Sequence, residues 1–149
     1  MDASAVGLGQ AEQRARQMVV SITCERADLR DWVARTAYDL VVLANVHMPP
    51  PDRETLFKIA KAAVAPGGHL YVVGHHVEAL GLAGPPDPRL LYTEEILTGL
   101  TTGLRIEQLR RVEHRADHGA VGADIALFAT RDRTGQPDER GPFAVSGTR

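Results

Sequence analysis

The sequence lacks the features that would assign it to several broad protein classes. It has one cysteine, Cys24, in 149 residues, so no internal disulfide can form. Its formal net charge is -2, whereas a surface that binds nucleic acid carries a basic excess. No apolar run approaches the length of a membrane span, and the N-terminal residues do not have the pattern of a signal peptide. We therefore expect a cytoplasmic protein that binds neither nucleic acid nor a membrane.

The composition is that of a globular domain. Hydrophobic residues make up 44% of the chain and charged residues 24%, which is typical of soluble proteins with one packed core. From Arg131 onward the composition shifts to glycine, proline and charged residues. We therefore assign residues 1–133 to one domain and expect residues 134–149 to form a disordered tail.

Three segments have apolar residues at the three- to four-residue spacing of an amphipathic helix. They are Ala5 to Gln17, Arg53 to Val64 and Glu94 to Thr102. Ser4, Asp52 and Thr93 precede these segments and are suited to cap them, because their side-chain oxygens can accept from backbone N–H groups. A shorter helical stretch is expected from Leu29 to Val33.

Five segments have strand-like patterns: Val19 to Cys24, Leu40 to Val46, Leu70 to Val73, Leu104 to Val112 and Ile125 to Thr130. The second of these begins with five consecutive apolar residues, which is typical of a parallel strand buried on both faces. Helices that alternate with buried strands predict an α/β, Rossmann-like fold with a doubly wound, mostly parallel sheet. In such sheets ligands bind at the carboxyl ends of the strands.

Four short segments stand out by their order and spacing. They are Met1 to Leu8, Ala27-Asp28-Leu29, Tyr38-Asp39-Leu40-Val41-Val42 running to Asn45-Val46-His47, and Ala65-Pro66-Gly67-Gly68-His69-Leu70. Together they resemble a class I S-adenosylmethionine (SAM)-dependent methyltransferase, of the type that includes tellurite-resistance and related small-molecule methyltransferases. The resemblance extends from Met1 to about Arg131. It implies SAM as cofactor, a small-molecule methyl acceptor, and a sheet that closes with two antiparallel strands.

The resemblance also implies which residues form the cofactor site: Asp2, Ala27, Asp28, Leu29, Asn45 and His47. The carboxylate of Asp2 would hold the ribose hydroxyls, and that of Asp28 would accept from the adenine amino group. The strand end from Asn45 to His47 would line the methionine part of SAM. Two alternatives stay open, since Asp28 could simply cap a helix and Asn45 could simply begin a turn.

His47 and His75 are the candidate catalytic residues, because each follows a buried strand and an imidazole can take a proton near neutral pH. A general base is optional in methyl transfer, where much of the catalysis is in-line placement of donor and acceptor. The alternative is that they are loop histidines whose ring nitrogens have hydrogen-bond partners and no catalytic role. The adjacent His75 and His76 do not predict a metal site, because neighbouring strand residues point to opposite faces.

The sequence departs from the family in one respect. It contains no Gly-x-Gly-x-Gly run, and the family's first strand, glycine-rich loop and second strand are absent. That loop brings backbone N–H groups close to the methionine part of the ligand. We therefore expect SAM binding to be weak or lost. Either the true start lies upstream of Met1, or the chain is an N-terminally truncated remnant.

An alternative function follows from the same departure: a catalytically inactive Rossmann-like remnant that acts as an interaction or oligomerising module. Without a preceding strand, the segment from Leu40 to Val46 would have an edge that no lysine, proline or inward charge protects. The sequence therefore predicts self-association.

Overall fold

The computed structural model describes residues 1–82, 84–115 and 121–133. In chain order the elements are α1 Ala5–Gln17, β1 Tyr38–Ala44, α2 Pro50–Ala63, β2 Val64–His75, α3 Glu94–Leu100, β3 Arg105–Arg115 and β4 Val121–Thr130. The expected tail, residues 134–149, lies outside the described residues. None of the helices in the described ranges combines the length and apolar character needed to cross a membrane.

The four strands form one sheet in the order β1-β2-β4-β3. β1 runs parallel to β2, with Leu40 opposite His69 and Ala44 opposite Val73. β4 is antiparallel to β2 on one side and to β3 on the other. The Rossmann-like α/β fold is therefore confirmed, and so is the closing antiparallel pair.

Local sequence explains where the helices begin. Ser4 accepts a hydrogen bond from the Gly7 N–H at 3.1 Å, and Thr93 accepts from the Ile96 N–H at 3.2 Å, so both are N-caps as predicted. The prediction for Asp52 was wrong, because α2 begins earlier, at Pro50. Proline suits that position, since the first N–H groups of a helix have no intrahelical partner. Asp52 instead lies in the first turn of α2.

The core lies between the sheet and the helices α2 and α3. Its buried members come from these helices, from the strands and from the segment before α3: Leu43, Leu56, Phe57, Ala60, Val64, Leu70, Val72, Tyr92, Leu97, Ile125, Leu127 and Ala129. β1 contributes Leu43, whereas Leu40 is 52% exposed and Val42 50% exposed on its opposite face. The expectation that this strand is buried on both faces was therefore wrong. Its side chains are apolar on both faces, but α2 covers only the face that carries Leu43.

Two further expectations fail between α1 and β1. Val19 to Cys24 is not a strand; instead a single parallel bridge joins Asp2 to Arg26. A strand requires a partner for its backbone groups, and the segment before α1 provides only this bridge among the described residues. Leu29 to Val33 contains a turn rather than a helix, with the Asp31 N–H donating to the Asp28 carbonyl at 3.2 Å.

The outer edge of β1 is one of the two open edges of this sheet in the described ranges, and the other belongs to β3. Within the described ranges no strand pairs with it, and Leu40 to Ala44 includes no lysine or proline. Unpaired N–H and C=O groups on such an edge are a template for another strand. The half-exposed side chains of Leu40 and Val42 add apolar area that a second chain could cover.

We expect the purified protein to sediment as a dimer or larger species. Val42→Lys should shift it toward monomer, because a charge on an edge strand opposes pairing. Val33→Lys is the matched control, since Val33 is 78% exposed but lies outside the sheet. A well-dispersed wild-type monomer at high concentration would refute self-association.

Candidate active site

The parallel pairing of β1 and β2 brings their carboxyl ends side by side. Asn45, Val46 and His47 follow β1, and β2 ends at His75. Asn45 has a φ of 53°, in the left-handed region that asparagine tolerates better than most residues. Its N–H donates to the Val73 carbonyl at 2.8 Å, so Asn45 turns the chain while remaining tied to β2.

A cleft of about 720 Å³ runs along the outer edge of β1 to this turn. Small-molecule sites are commonly about 300–1,000 Å³. Four of the predicted cofactor residues line the cleft: Asp2, Leu29, Asn45 and His47. Ala27 and Asp28 adjoin Leu29 in sequence but are not part of the lining formed by the described residues. The structure thus brings together residues from three separate stretches of the chain.

Asp2 is held in place by its neighbours on both sides. Its N–H donates to the Glu25 carbonyl, and its own carbonyl accepts from the Ala27 N–H, each at 3.2 Å. The Asp2 carboxylate accepts from the Ser4 N–H at 2.8 Å. These bonds fix Asp2 in the lining of the cleft, next to the segment that carries Ala27, Asp28 and Leu29.

Asp28 is engaged within its own turn. Its Oδ2 lies 2.6 Å from Nη2 of Arg30, and its Oδ1 accepts from the Arg30 N–H at 3.0 Å. The hydrogen bond from the Arg30 side chain is the main reason that the pKa of Asp28 falls to about 2. The carboxylate therefore stays ionised, and it orders the turn that leads from Leu29. Its contact with adenine remains a prediction.

Both ring nitrogens of His47 have partners. Nδ1 lies 3.0 Å from the Leu90 carbonyl, and Nε2 lies 3.4 Å from the backbone nitrogen of His75. Because a carbonyl can only accept, Nδ1 carries the proton and Nε2 accepts from the His75 N–H. Burial lowers the pKa of His47, which keeps the imidazole neutral.

His75 forms a pair with an acid from another strand. Its Nδ1 lies 2.8 Å from Oδ1 of Asp124, and both side chains are 18% exposed. Asp124 is opposite His75 in the antiparallel pairing of β2 and β4. The His75 ring also stacks on His47, with centroids 5.1 Å apart and planes 6° apart. Sequence reasoning missed Asp124, because no local pattern shows which residue of a distant strand faces His75.

Tyr92 contacts the turn after β1 and the His47 ring. Its hydroxyl donates to the Val46 carbonyl at 2.6 Å, which ties the segment before α3 to the turn after β1. Burial raises the pKa of Tyr92 to about 12, so the hydroxyl remains a donor across the physiological range. The ring lies against Gly74 and His47. Tyr92 is thus a buried residue that holds the turn after β1 in place, and its ring is not exposed to a substrate.

His76 belongs to a separate network on the other side of β2. It is 2% exposed, with Nε2 at 3.3 Å from Oε2 of Glu94, and its Nδ1 accepts from the Glu78 N–H at 3.2 Å. The Arg111 side chain donates to both Glu94 and Glu78 at 2.6 Å. Within the described ranges, no group of three or more His, Cys, Asp or Glu side chains is arranged to hold a metal ion.

Comparison with known proteins shows which proteins this chain resembles. Residues 1–68 match a methyltransferase domain family. No curated protein has a significantly similar sequence. Among solved structures, the N-methyltransferase NodS from Bradyrhizobium japonicum WM9 matches with a TM-score of 0.69 and 21% identity, over 89% of this chain and 71% of that one.

Two further structures give the same result. TehB from Haemophilus influenzae matches with a TM-score of 0.69 and 12% identity, over 87% of this chain and 48% of that one. A SAM-dependent methyltransferase from Methanosarcina mazei matches with a TM-score of 0.67 and 18% identity, over 89% of this chain and 80% of that one. The resemblance to class I SAM-dependent methyltransferases is confirmed, by sequence over residues 1–68 and by fold over most of the chain.

Tyr92 and His47 pack so closely against Gly74 that the position has no room for a side chain. A Cβ there would lie 2.9 Å from Cε2 of Tyr92 and 3.2 Å from Cε1 of His47. Gly74→Ala should therefore lower the free energy of unfolding by about 1–3 kcal/mol in urea denaturation, through overpacking.

Gly99→Ala is the matched control for this substitution. A Cβ at Gly99 would meet nothing within 4 Å, and the residue lies in α3. Alanine there should raise the free energy of unfolding by about 0.5–1 kcal/mol. A Gly74→Ala protein as stable as wild type would show that the contacts of Tyr92 and His47 are loose.

Proposed function

We propose that this chain is a SAM-dependent methyltransferase domain that acts on a small-molecule acceptor in the cytoplasm. The observation that carries the proposal is that Asp2, Leu29, Asn45 and His47 line one cleft at the carboxyl end of β1. The match of residues 1–68 to a methyltransferase domain family supports it. NodS, which is similar in fold, has also been solved in complex with S-adenosyl-L-homocysteine (SAH).

The residues present suit the cofactor that the fold implies. The carboxylate of Asp2 can accept from the two ribose hydroxyls, and Leu29 and Val46 offer apolar surface to a purine. Asn45 and His47 provide polar groups at the other end of the lining. When bound, SAM supplies a methyl carbon activated by its attachment to a sulfonium. The chain's own contribution is to hold donor and acceptor in line.

The size and charge of the cleft favour a small acceptor. A volume of about 720 Å³ leaves room for a compact molecule beside a nucleoside cofactor. The formal net charge of -2 provides no electrostatic attraction for a nucleic acid substrate. The acceptor would approach near His47, because the proposal assigns Leu29 and Asp2, which also line the cleft, to adenine and ribose.

We expect the cofactor to bind weakly. The sequence contains no Gly-x-Gly-x-Gly run, so the close backbone N–H contacts that such a loop gives are missing on the methionine side. The residues proposed to contact adenine and ribose are present, and we expect them to yield saturable binding with a dissociation constant above the low micromolar range.

Calorimetric titration with SAH tests this proposal. Wild-type protein should bind weakly. Asp2→Asn should abolish binding, since it removes a carboxylate acceptor from the cleft lining. Asp28→Ala should also abolish it, because the proposal assigns the adenine amino group to the Asp28 carboxylate, which adjoins the lining at Leu29. Glu12→Gln is the matched control, because Glu12 is an exposed acid on α1 that neither lines the cleft nor adjoins a lining residue in sequence. It should leave the affinity unchanged.

Each other outcome of the titration has a distinct meaning. Low micromolar or tighter binding would contradict the expected weakness. No saturation at millimolar SAH would refute the cofactor role and favour the alternative of an interaction module. An unchanged affinity in Asp28→Ala alone would remove Asp28 from the site.

A further inference from the structure

Arg53 is a buried cation that the proposed function does not use. It lies on α2, the helix that follows His47, and it is 6% exposed. It is not part of the lining of the cleft. An arginine is almost never buried to this extent unless its charged group has partners. The partners of its guanidinium therefore indicate which part of the molecule Arg53 holds.

Nη1 of Arg53 bonds to the segment that precedes α3. It donates to the Arg89 carbonyl at 3.2 Å and to the Leu91 carbonyl at 3.3 Å. The carbonyl between these two belongs to Leu90, and it lies 3.0 Å from Nδ1 of His47. Arg53 thus holds the backbone on both sides of the carbonyl to which His47 bonds.

The same segment is attached to both strand ends through Tyr92. Its N–H donates to the His75 carbonyl at 3.1 Å, and its hydroxyl donates to the Val46 carbonyl at 2.6 Å. The guanidinium carbon of Arg53 lies over the Tyr92 ring, 5.6 Å from its centroid, where the ring face attracts a cation. The segment is therefore anchored to α2 and to the ends of β1 and β2.

These contacts form a closed ring around His47. The chain leads from His47 into α2 and to Arg53, Arg53 bonds to the backbone that flanks Leu90, and the Leu90 carbonyl bonds to His47. Because a carbonyl only accepts, this contact keeps a proton on Nδ1. Burial has the largest effect in lowering the pKa of His47, and the charge of Arg53 acts in the same direction. The imidazole is thereby held neutral and in one orientation in the lining of the cleft.

A packing role alone does not account for a guanidinium at position 53. Burial removes its hydration, which costs free energy, and its Nε has no hydrogen-bond partner among the described residues. An apolar side chain of similar length, such as methionine, could fill the same space without either cost. Methionine could not donate to the carbonyls on both sides of Leu90.

We propose that Arg53 is a positioning residue for the cofactor cleft and that it acts through His47. By holding the backbone on both sides of Leu90, it fixes the His47 ring as the Nδ1–H tautomer in the lining. The inference rests on the proposed function, because it gives the fixed ring a part in binding the cofactor. The affinity for SAH therefore depends on a residue that does not itself line the cleft.

Nitrogen NMR of the histidine rings tests the positioning without any cofactor. In wild-type protein the neutral His47 should be the Nδ1–H tautomer. Arg53→Met releases the backbone at Leu90, so the ring should shift toward the Nε2–H tautomer, which unconstrained histidine side chains favour. Arg53→Lys keeps a cationic donor and should retain the wild-type tautomer. Lys58→Met is the matched control, since it removes an exposed cation from the same helix.

Three results of the NMR experiment would overturn the proposal. They are an Nε2–H tautomer of His47 in wild-type protein, an unchanged tautomer in folded Arg53→Met, and a shift of equal size in Lys58→Met. Loss of the fold in Arg53→Met would assign Arg53 to stability alone and would overturn it as well.

Calorimetric titration with SAH tests the consequence for binding. Arg53→Met should weaken binding by about tenfold, which is the scale on which the loss of a residue that orients a binding side chain acts. His47→Leu should also weaken binding. Adding Arg53→Met to His47→Leu should cause no further loss, because Arg53 acts through the ring that is then missing. Lys58→Met should leave the affinity unchanged.

The outcomes of the titration separate this inference from the proposed function. An unchanged affinity in Arg53→Met, or additive losses in the double variant, would overturn the inference while the proposed function stands. Failure of wild-type protein to bind SAH would instead refute the proposed function, and the tautomer of His47 would still decide whether Arg53 positions its ring.

Discussion

The parallel pairing of β1 with β2 is the contact on which the other features of this chain depend. Its register, from Leu40 opposite His69 to Ala44 opposite Val73, sets the end of one strand beside the end of the next. Burial of Leu43 and Val72 against the helical layer stabilises that register, because a one-residue slip would turn these side chains to the opposite face. The positions of Asn45, His47 and His75 all follow from it.

Among the described residues the sheet has two edge strands, β1 and β3, while β2 and β4 are paired on both sides. The open edge of β1 differs from that of β3 in forming one wall of the cleft. Self-association through this edge and ligand binding in the cleft would therefore use the same surface. A second chain paired along β1 would compete with any molecule that occupies the full length of the cleft.

Sequence periodicity predicted those elements whose stability is local or whose partner is near in the chain. The helix Ala5–Gln17 and the caps Ser4 and Thr93 needed only their own neighbours. Val19 to Cys24 has the alternation of a strand, yet alternation states a preference and does not supply the strand that must pair with it. For the same reason the apolar run after Tyr38 could not reveal that only one of its faces is covered.

The site shows the same limit at the level of single residues. Position at a strand end was enough to select Asn45, His47 and His75. The partner of His75 depends instead on the register between β2 and β4, which sets it opposite Asp124, 49 positions away. That register also separates His75 from its neighbour. Because consecutive strand residues face opposite sides, His76 is directed to Glu94 and away from the cleft, whereas His75 faces Asp124 beside His47. Two adjacent histidines that are equivalent in sequence therefore have different partners, and the pleat of β2 decides which of them lies beside His47.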